Sequence, residues 1–349
     1  MTPFAKRLLA WFDVHGRHDL PWQHPRTPYR VWLSEVMLQQ TQVTTVIPYF
    51  ARFLERFPDL AALAAAPLDD VLALWAGLGY YARARNLHRC AQAVVAEHDG
   101  EFPRDIEAVA ALPGIGRSTA GAILAQAWGD RHAILDGNVR RVLARHAAVA
   151  GWPGQPAVQK QLWREAEARL PQQLLADYTQ ALMDLGASIC SARNPKCLLC
   201  PVAGDCRARQ AGTVAQYPGA KPARARPRRE AVLLLARDAG GRLLLERRPP
   251  SGLWGGLWCP PLLGDGDPAA PEWLAALALR SVAEQTLPPL THAFTHFDYV
   301  LQPRLIETAA LGTRVAEARW QWIDDEQRER LGLPAPIRKL LSSLQGTET

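Results

Sequence analysis

The sequence predicts two domains of different fold class, a mainly α domain on the N-terminal side and a smaller α+β domain on the C-terminal side. From Thr2 to about Arg209, apolar residues recur at spacings of three and four, the period of an amphipathic helix. A segment with three prolines and many charges follows, and beyond it short runs with β preference replace the helical pattern. We therefore predict a helical domain over 1–211, a basic proline-rich linker over 212–229 and an α+β domain over 230–349.

Length and composition limit what kind of protein this is. With 349 residues, of which 48% are hydrophobic, the chain has enough apolar surface for two cores without disulfide support. Asp13, His15 and Arg17 interrupt the N-terminal apolar stretch, and no apolar run has the length of a membrane span. We expect a monomeric cytoplasmic protein with no membrane partner.

The charge balance permits a polyanionic partner without establishing one. The chain has 40 Lys and Arg against 34 Asp and Glu, a formal net charge of +6 and a pI near 9.1. Basic residues cluster at 83–89, at 140–145 and in the linker at 221–229. On charge alone, solvated helix faces and a polar linker account for these clusters.

Helices are predicted throughout the N-terminal domain. The clearest periodicity covers 31–57, 69–98 and 159–170. Within 106–129, the turn Leu112–Gly116 separates two apolar segments, which predicts a helix, a tight turn and a second helix. Such a turn presents free backbone N–H groups that suit a nucleic-acid phosphate, but a bare GxG is more often an ordinary connection between packed helices.

Strands and one helix are predicted in the C-terminal domain. The stretch 231–248 predicts a β-hairpin that turns at Ala239–Gly241. The stretch 272–285 predicts a helix, and 296–307 and 318–323 predict strands.

Four of the six cysteines lie within 190–206. Cys190, Cys197, Cys200 and Cys206 are separated by six, two and five residues, which predicts a metal site rather than scattered structural thiols. Four thiolates suit both tetrahedral zinc and a [4Fe–4S] cluster, so the spacing alone does not name the metal.

The glycine-containing turn between the two predicted helices and the spacing of the four cysteines together resemble one superfamily. The stretch LPGIGRSTAGAIL (112–124) resembles the helix-hairpin-helix of the endonuclease III superfamily of DNA glycosylases, and the cysteine spacing resembles its iron–sulfur loop. The resemblance implies a [4Fe–4S] cluster bound by the four cysteines. It also implies that Gly114, Gly116 and Ser118 contact DNA.

Within that superfamily, four further motifs resemble the MutY-type adenine DNA glycosylases: SEVMLQQTQV (34–43), GLGYYARARNL (77–87), ILDGNVRRVLAR (134–145) and GLWGGLW (252–258). The resemblance implies a base-excision repair enzyme that removes adenine mispaired with 8-oxoguanine or guanine in double-stranded DNA. Its implied architecture is a helix-hairpin-helix glycosylase domain with an iron–sulfur loop, followed by a Nudix-like domain.

Two acidic residues suit the chemistry of N-glycosidic hydrolysis, which needs a proton donor for the leaving base and a negative group for the oxocarbenium-like sugar. Apolar neighbours surround Glu35 in the sequence and should raise its pKa, so we assign it as the acid. Asp136 precedes Gly137 and on sequence alone predicts a helix N-cap. The resemblance makes Asp136 the carboxylate that faces C1′ and Asn138 a positioning residue beside it.

The resemblance also assigns residues to DNA. Related bifunctional glycosylases carry a lysine nucleophile where this chain has Ser118, which implies a monofunctional enzyme. The implied intercalating and opposing-base residues are Gln40, Thr41, Leu78 and Tyr80. Trp22 and Gln180 match positions that line the adenine pocket.

The stretch from 231 to 258 resembles the opening of a Nudix hydrolase. Between Trp258 and Pro288, however, the chain lacks the clustered glutamates that hold Mg²⁺ in such enzymes. We therefore predict a catalytically inactive Nudix-like domain that recognises the lesion. Phe294, Thr295 and His296 match the family's Phe-Ser-His loop and are assigned to 8-oxoguanine recognition.

Two other functions stay open at this level. One is an endonuclease III-like glycosylase of damaged pyrimidines, which would share the cysteines and the hairpin. The other is a non-catalytic iron–sulfur DNA-binding protein, which would need neither Glu35 nor Asp136.

Overall fold

A computed structural model describes residues 1–222, 225–250, 252–294, 296–311 and 319–345. The helices, in chain order, are α1 Pro3–His15, α2 Pro28–Leu38, α3 Val43–Arg56, α4 Leu60–Ala65, α5 Leu68–Trp75, α6 Ala82–Glu97, α7 Ile106–Ala111, α8 Arg117–Trp128, α9 Gly137–His146, α10 Pro156–Arg169, α11 Leu175–Asp184, α12 Arg207–Gln210, α13 Ala270–Ala276, α14 Asp325–Glu329 and α15 Ala335–Gln345. The strands are β1 Arg228–Arg237, β2 Leu243–Arg247, β3 Trp258–Cys259, β4 Leu262–Leu263, β5 Leu279–Thr286, β6 Leu290–Ala293, β7 Asp298–Ala310 and β8 Trp320–Ile323.

The contacts of the described residues divide the chain into two compact units. The first consists of Met1–Ala65 and Asn86–Ala223, and the second of Ala66–Arg85 and Arg224–Thr349. The second unit thus includes a short segment from within the helical part of the sequence. The division predicted above, 1–211, 212–229 and 230–349, stays a prediction.

The first unit is helical, as predicted, and several of its helices begin at polar caps. The side chains of Thr2, Thr27 and Asp105 accept backbone N–H groups at the starts of α1, α2 and α7. Helix α8 is the central element, since it packs against α2, α7 and α11 and is buried from Ala120 to Gln126. Within the described residues, no helix is both long and apolar enough to cross a bilayer.

The predicted turn between two helices is confirmed. It joins α7 to α8, and Gly114 adopts a left-handed conformation with φ of 78°. A Cβ atom at Gly114 would lie 2.6 Å from Cβ of Asn86 on α6, so this position requires glycine both for its conformation and for the close approach. Gly116 ends the turn as the N-cap of α8, and both glycines are exposed.

The second unit contains a mixed β-sheet in the order β3-β2-β1-β7-β5, with β4 beside β1, β6 beside β7 and β8 beside β2. The long strands β1 and β7 run parallel, in register from Arg228 opposite Asp298 to Arg237 opposite Glu307. The predicted hairpin over 231–248 is confirmed by the antiparallel pairing of β1 with β2. The predicted strands over 296–307 and 318–323 correspond to β7 and β8.

The helix predicted over 272–285 is wrong in its second half. Helix α13 ends at Ala276, and Ala278 has φ of 55°, which turns the chain out of the helix. The residues from Leu279 onward then form β5, which pairs antiparallel with β7 along its length. Pairing to the edge of an existing sheet has overridden the helical preference of an alanine- and leucine-rich run.

Candidate active site

Glu35 lies near the end of α2 and is held from α8. The side-chain amide of Gln126 donates a hydrogen bond to Oε1 of Glu35 at 3.1 Å. Gln126 is itself buried in the apolar run of α8. The bond therefore fixes the carboxyl group of Glu35 at the packed interface of two helices.

The environment of Glu35 favours its protonated form. Burial, and after it the negative charge of Asp136, raises the pKa of Glu35 to about 7, while the hydrogen bond from Gln126 opposes this rise. Because Asp136 acts on the pKa of Glu35, the structure brings the two predicted catalytic acids together. A carboxyl group with a pKa near neutrality is well suited to general acid catalysis.

Asp136 is the N-cap of α9, as the sequence predicted. Its carboxylate accepts the backbone N–H groups of Val139 at 2.8 Å and Asn138 at 3.3 Å. Burial raises the pKa of Asp136, whereas these two bonds and the nearby Arg141 and Arg140 lower it. Burial is the larger effect, so the pKa of Asp136 lies above its usual value, and the helix N-terminus and its hydrogen bonds limit that rise in favour of the carboxylate.

The raised pKa of Glu35 predicts how activity depends on pH. With Glu35 as the predicted acid, its protonated form is the active one, so single-turnover base release should be constant below about pH 7 and fall about tenfold for each pH unit above it. Replacing Asp136 with Asn removes the negative charge, so any residual activity should lose its acid form at a lower pH. A rate that rises through pH 7 and above would contradict the assignment of Glu35 as the acid.

Ser118, at the start of α8, supports the chain that leads into Asp136. Its Oγ accepts the backbone N–H of Leu135 at 2.9 Å. Leu135 immediately precedes Asp136, so this bond fixes the approach of the chain to the cap. The contact that the structure shows for Ser118 is therefore with the protein's own backbone, and its predicted contact with DNA stays a prediction.

Asn138 belongs to a hydrogen-bond network that extends to the cysteine loop. Nη2 of Arg141 donates to Oδ1 of Asn138 at 2.8 Å and to the carbonyl of Gly186 at 2.6 Å. Nε of Arg141 donates to the carbonyl of Cys190 at 2.7 Å. Gly186 lies in a π-helical turn, Leu185–Ile189, a feature that often marks functional sites.

The four clustered cysteines surround one pocket. Its lining includes Cys190, Cys197, Cys200 and Cys206, together with Arg145 and Arg209. Burial raises the pKa of Cys200 to about 11, so a thiolate there requires a bound cation. Within the described residues no three His, Cys, Asp or Glu side chains are gathered closely enough for a single metal ion. Four cysteine sulfur atoms around a shared pocket are the donor set that a [4Fe–4S] cluster takes.

Helix α9 also supports the cysteine loop. Arg145 donates to the carbonyls of Ser191 at 2.7 Å and Ala192 at 3.0 Å and lies 3.4 Å from Sγ of Cys190. Asp205, next to the last cysteine, is bound by Arg7 at 2.6 Å and by His146 at 3.1 Å. One helix therefore carries the cap Asp136 at its start and contacts the cysteine loop at its end.

Gln180, a predicted adenine-pocket residue, is buried with one free acceptor. Its side-chain amide donates to Asp184 at 2.8 Å, while its buried Oε1 has no hydrogen-bond partner among the residues that the structure describes. Asp184 also accepts the backbone N–H of Arg17 at 2.8 Å and its Nε at 2.9 Å. Trp22, the other predicted pocket residue, packs edge-to-face on Phe50 at 5.4 Å.

Gln40 and Thr41 lie in the turn between α2 and α3. Gln40 is exposed and has φ of 59°, a left-handed conformation that is uncommon for a residue with a side chain. Thr41 is partly exposed, and its Oγ1 lies 3.5 Å from the carbonyl of Gln39. The predicted contacts of both residues with DNA therefore stay predictions on an accessible turn.

A basic groove opens beside the helix-hairpin-helix turn. It is lined by Gly116, Arg117, Ser118, Arg140, Pro156, Gln159, Lys160 and Trp163. Arg117 stacks over the ring of Trp163 at 4.0 Å and pairs with Glu167 at 2.6 Å. The groove combines the start of α8 with several cations, which suits an anionic backbone.

In the second unit, Leu78 and Tyr80 lie in a loop formed by residues 77–80, which we call the intercalating loop after its predicted role. Tyr80 is 50% exposed and has φ of 48°, so its ring is available to a partner. Leu78 is only 5% exposed and contributes to the core of this segment. A contact of Leu78 with the opposing base stays a prediction and would require the loop to open.

Phe294 and His296, two of the predicted lesion-recognition residues, lie between β6 and β7. The backbone N–H of Phe294 donates to the carbonyl of Phe297 at 2.9 Å and closes the tip. The Phe294 ring lies 4.9 Å from that of Phe297 and 5.8 Å from that of Trp254. His296 is exposed, and Thr295 lies outside the described residues. His296 is therefore accessible to a partner, whereas the partly buried Phe294 rests on aromatic rings.

Several supporting residues were missed by the sequence interpretation. They are Gln126, Asp184, Arg17, Arg141 and Arg145. A usable signal existed for two of them, because Gln126 and Asp184 interrupt apolar helical runs and a buried polar side chain needs a partner. The arginines carried no such signal, since arginine on a helix is usually solvated.

Family descriptions match the chain in three places. They are the HhH-GPD superfamily of base excision DNA repair proteins over 33–168, the iron–sulfur binding domain of endonuclease III over 190–206 and the NUDIX domain over 231–343. Each match falls on a part of the chain described above, namely the helical region with both acids, the cysteine loop and the β-sheet domain.

Relatives similar along the whole chain carry a single name. The adenine DNA glycosylase of Buchnera aphidicola subsp. Acyrthosiphon pisum (strain APS) is 35% identical over 98% of this chain and 97% of its own length. The adenine DNA glycosylase of Homo sapiens is 34% identical over 100% of this chain and 75% of its own. A solved structure of a thermostable thymine-DNA glycosylase is 28% identical, with a TM-score of 0.53 over 60% of this chain and 95% of that one.

Proposed function

The chain belongs to the adenine DNA glycosylase family, and from that premise we propose that it removes adenine mispaired with 8-oxoguanine or guanine from double-stranded DNA. The observation that carries this proposal is the pair Glu35 and Asp136. Their surroundings act differently, since burial and Asp136 raise the pKa of Glu35 to about 7, whereas at Asp136 the backbone N–H groups at the start of α9 and two arginines oppose the rise that burial causes. One acid and one carboxylate are what acid-assisted N-glycosidic hydrolysis requires.

The roles of the two groups follow from these states. Glu35 donates its proton to the departing adenine, so the base leaves as a neutral molecule. The bond electrons go with the base, and the positive charge that develops on the sugar is stabilised by the carboxylate of Asp136. Water then adds at C1′ and loses a proton, which restores the acid. Asn138 and Ser118 hold the cap in place through Arg141 and Leu135.

The adenine must leave the duplex before these groups can reach it. Unstacking costs a few kcal/mol, which an inserted side chain helps to offset. Exposed Tyr80 and Gln40, both in left-handed turns, are suited to this role. The free buried Oε1 of Gln180 is an acceptor that suits the exocyclic amine of adenine.

The cofactor of the chain is a [4Fe–4S] cluster, and we assign its ligands as Cys190, Cys197, Cys200 and Cys206. When bound, the cluster supplies a rigid, non-reacting centre that organises its loop. Exposed Arg193, Lys196 and Arg207 on this loop would then face the DNA backbone. Arg141 and Arg145 connect the loop to the helix that bears Asp136.

Ser118 makes the proposed enzyme monofunctional. A bifunctional glycosylase needs an amine to attack C1′ and form a Schiff base, whereas Oγ of Ser118 is occupied by the N–H of Leu135. Borohydride reduction during turnover should therefore trap little protein–DNA adduct, while base release proceeds. Efficient trapping would show that another amine acts as a nucleophile and would contradict this assignment.

The Nudix-like domain is proposed to recognise the base opposite the adenine. Between Trp258 and Pro288, Glu272 lies at the start of the short helix α13 and Glu284 lies on β5, where it pairs with Arg304 at 3.2 Å. This arrangement lacks a helix with clustered glutamates, so hydrolysis of nucleoside diphosphates is not expected from this segment. The hairpin tip with Phe294 and the exposed His296 is the surface proposed for the lesion.

Replacement of His296 with Ala tests this proposal in the full chain. We expect the preference for A:8-oxoguanine over A:G to fall about 3- to 30-fold, the equivalent of one or two lost polar contacts. Single-turnover release from A:G should change little, because the catalytic acids are untouched. His15→Ala, at an exposed histidine on α1, is the matched control. An unchanged preference in His296→Ala and in Phe294→Ala would refute the role of the hairpin tip.

Point variants are more informative here than removal of the C-terminal residues. The segment Ala66–Arg85 belongs to the second unit by its contacts, and its Leu72 and Trp75 are buried. A chain that ended before the β-sheet would expose these side chains. A loss of activity in such a truncated chain would then reflect both unfolding of this segment and loss of lesion recognition.

A further inference from the structure

The intercalating loop belongs structurally to the unit that contains the recognition hairpin, although helices of the other unit precede and follow it in sequence. We propose that Tyr81 and Arg85 are positioning residues that fix this loop to the Nudix-like unit, so that the base opposite the adenine controls the insertion of Tyr80. The inference rests on the proposed function, which assigns Tyr80 to intercalation and the hairpin tip to lesion recognition.

Helix α5, which leads into the loop, packs through one apolar face. Val71, Leu72 and Trp75 on this face are buried. A Cβ atom at Gly332 would lie 3.0 Å from Cβ of Leu72 and 3.2 Å from Cδ2 of Leu257. Glycine at position 332 therefore permits a close approach of α5 that a larger residue would disturb.

Two hydrogen bonds fix the chain immediately after the loop. Oη of Tyr81 donates to the carbonyl of Leu333 at 3.1 Å, and both residues are buried. The guanidinium of Arg85 donates to the carbonyl of Gly255. An ion pair between Asp69 and Arg247 at 2.9 Å adds a contact before the loop, but it is half-exposed and should contribute little.

The loop itself has a backbone that needs such support. Gly77, Gly79 and Tyr80 have φ of 104°, 70° and 48°, and the last of these is unfavourable for a residue with a side chain. Nε1 of Trp75 donates to the carbonyl of Gly79 at 3.1 Å. Arg83 donates to the carbonyls of Leu78 at 3.1 Å and Gly79 at 3.2 Å, and its guanidinium lies over the rings of Trp75 and Tyr80.

A continuous series of contacts leads from this loop to the recognition hairpin. Arg85 binds the carbonyl of Gly255, and the neighbouring Trp254 lies with its ring 5.8 Å from Phe294 and 6.3 Å from His292. Trp254 is buried and itself has φ of 53°, so its position is tightly determined. A bound base that displaces Phe294 would therefore shift the position of Arg85. Because Arg85 lies in the first turn of α6, the shift would also reach Tyr80, which lies just before this helix.

The functional consequence concerns the choice of substrate. If the recognition hairpin and Tyr80, the wedge that is inserted into the duplex, move as one body, a base that fits the hairpin brings Tyr80 to its insertion site. A base that does not fit the hairpin leaves this wedge displaced. Extrusion of adenine is then faster opposite 8-oxoguanine than opposite guanine, even though the catalytic acids are the same for both.

Tyr81→Phe is the variant that tests this proposal, because it removes one hydroxyl group and keeps the ring and the net charge. We expect the ratio of single-turnover rates on A:8-oxoguanine and A:G duplexes to fall about 3- to 10-fold, the equivalent of one lost buried hydrogen bond. Gly332→Ala, which displaces α5 by packing alone, should lower the same ratio. Tyr29→Phe is the matched control, because Tyr29 donates a similar buried bond to the carbonyl of Phe57 in the other unit.

A double-mutant cycle distinguishes positioning from general destabilisation. In a Tyr80→Ala background the wedge is absent, so adding Tyr81→Phe should change the ratio no further. The proposal is overturned if Tyr81→Phe keeps the wild-type ratio of the two rates or lowers both rates equally. It is also overturned if Tyr81→Phe lowers the ratio in the Tyr80→Ala background by the same factor as in the wild type. If Tyr80→Ala and His296→Ala reduce the ratio but Tyr81→Phe does not, only this inference fails. If none of the three alters the ratio, the proposed recognition function fails with it.

Discussion

Replacing Glu35 with Gln should lower single-turnover adenine release by about 10²- to 10⁴-fold, the usual contribution of a positioned general acid. Gln has nearly the same shape and still accepts the hydrogen bond of Gln126, but it has no proton to donate. The protein should remain folded and bind the mispaired duplex as before, since burial and Asp136 disfavour the charged form of Glu35 in any case. The measurement is base release from a labelled duplex under enzyme excess.

Glu55→Gln serves as the control for this variant, because Glu55 is an exposed glutamate on α3 in the same unit. It should retain full activity. If Glu35→Gln released adenine at the wild-type rate, the acid would have to be another group, and the non-catalytic DNA-binding alternative would gain support.

Replacing Asp136 with Asn should lower the rate by about 10²- to 10³-fold, the magnitude typical for loss of one stabilising group at a developing charge. The variant separates the two roles of this residue. Asn caps helices nearly as well as Asp, so α9 should keep its N-terminal hydrogen bonds and the protein its thermal stability. Only the negative charge beside the sugar is lost.

Asp105→Asn provides the matched control, since Asp105 caps α7 through the N–H groups of Glu107 and Ala108. Both variants should unfold at nearly the same temperature as the wild type, and only Asp136→Asn should show the loss of rate of about 10²- to 10³-fold. An active Asp136→Asn would mean that the carboxylate is structural. A large fall in its unfolding temperature would mean that the rate loss reflects damage to α9.

The sequence predicted those features of the site that depend on local chemistry. Apolar neighbours around Glu35 indicated a raised pKa, and the Asp-Gly-Asn stretch indicated the cap at Asp136; the structure bears out both. The hairpin turn at Gly114 was predictable for the same reason, because its conformation is set by residues adjacent in sequence. The four cysteines were predictable as a group because they are close together in the chain.

Features that depend on distant residues were not predictable in this way. Nothing local indicates that Gln126 would contact Glu35, which lies 91 positions away. Nor does local sequence indicate that Arg141 would bind the carbonyl of Cys190, 49 positions away. Residues 279–286 form a strand only because β7 offers an edge to pair with. The grouping of Ala66–Arg85 with the β-sheet domain likewise depends on distant partners, as with Arg85 and Gly255, which lie 170 positions apart.

The most direct test of the account is adenine release by the purified full-length protein from A:8-oxoguanine, A:G and A:C duplexes under enzyme excess. We expect free adenine to be released with an intact strand, fastest opposite 8-oxoguanine and more slowly opposite guanine, and Glu35→Gln to slow release from all three by about 10²- to 10⁴-fold. Contradiction would come from an absence of adenine release opposite 8-oxoguanine, or from efficient cleavage of a thymine glycol duplex instead.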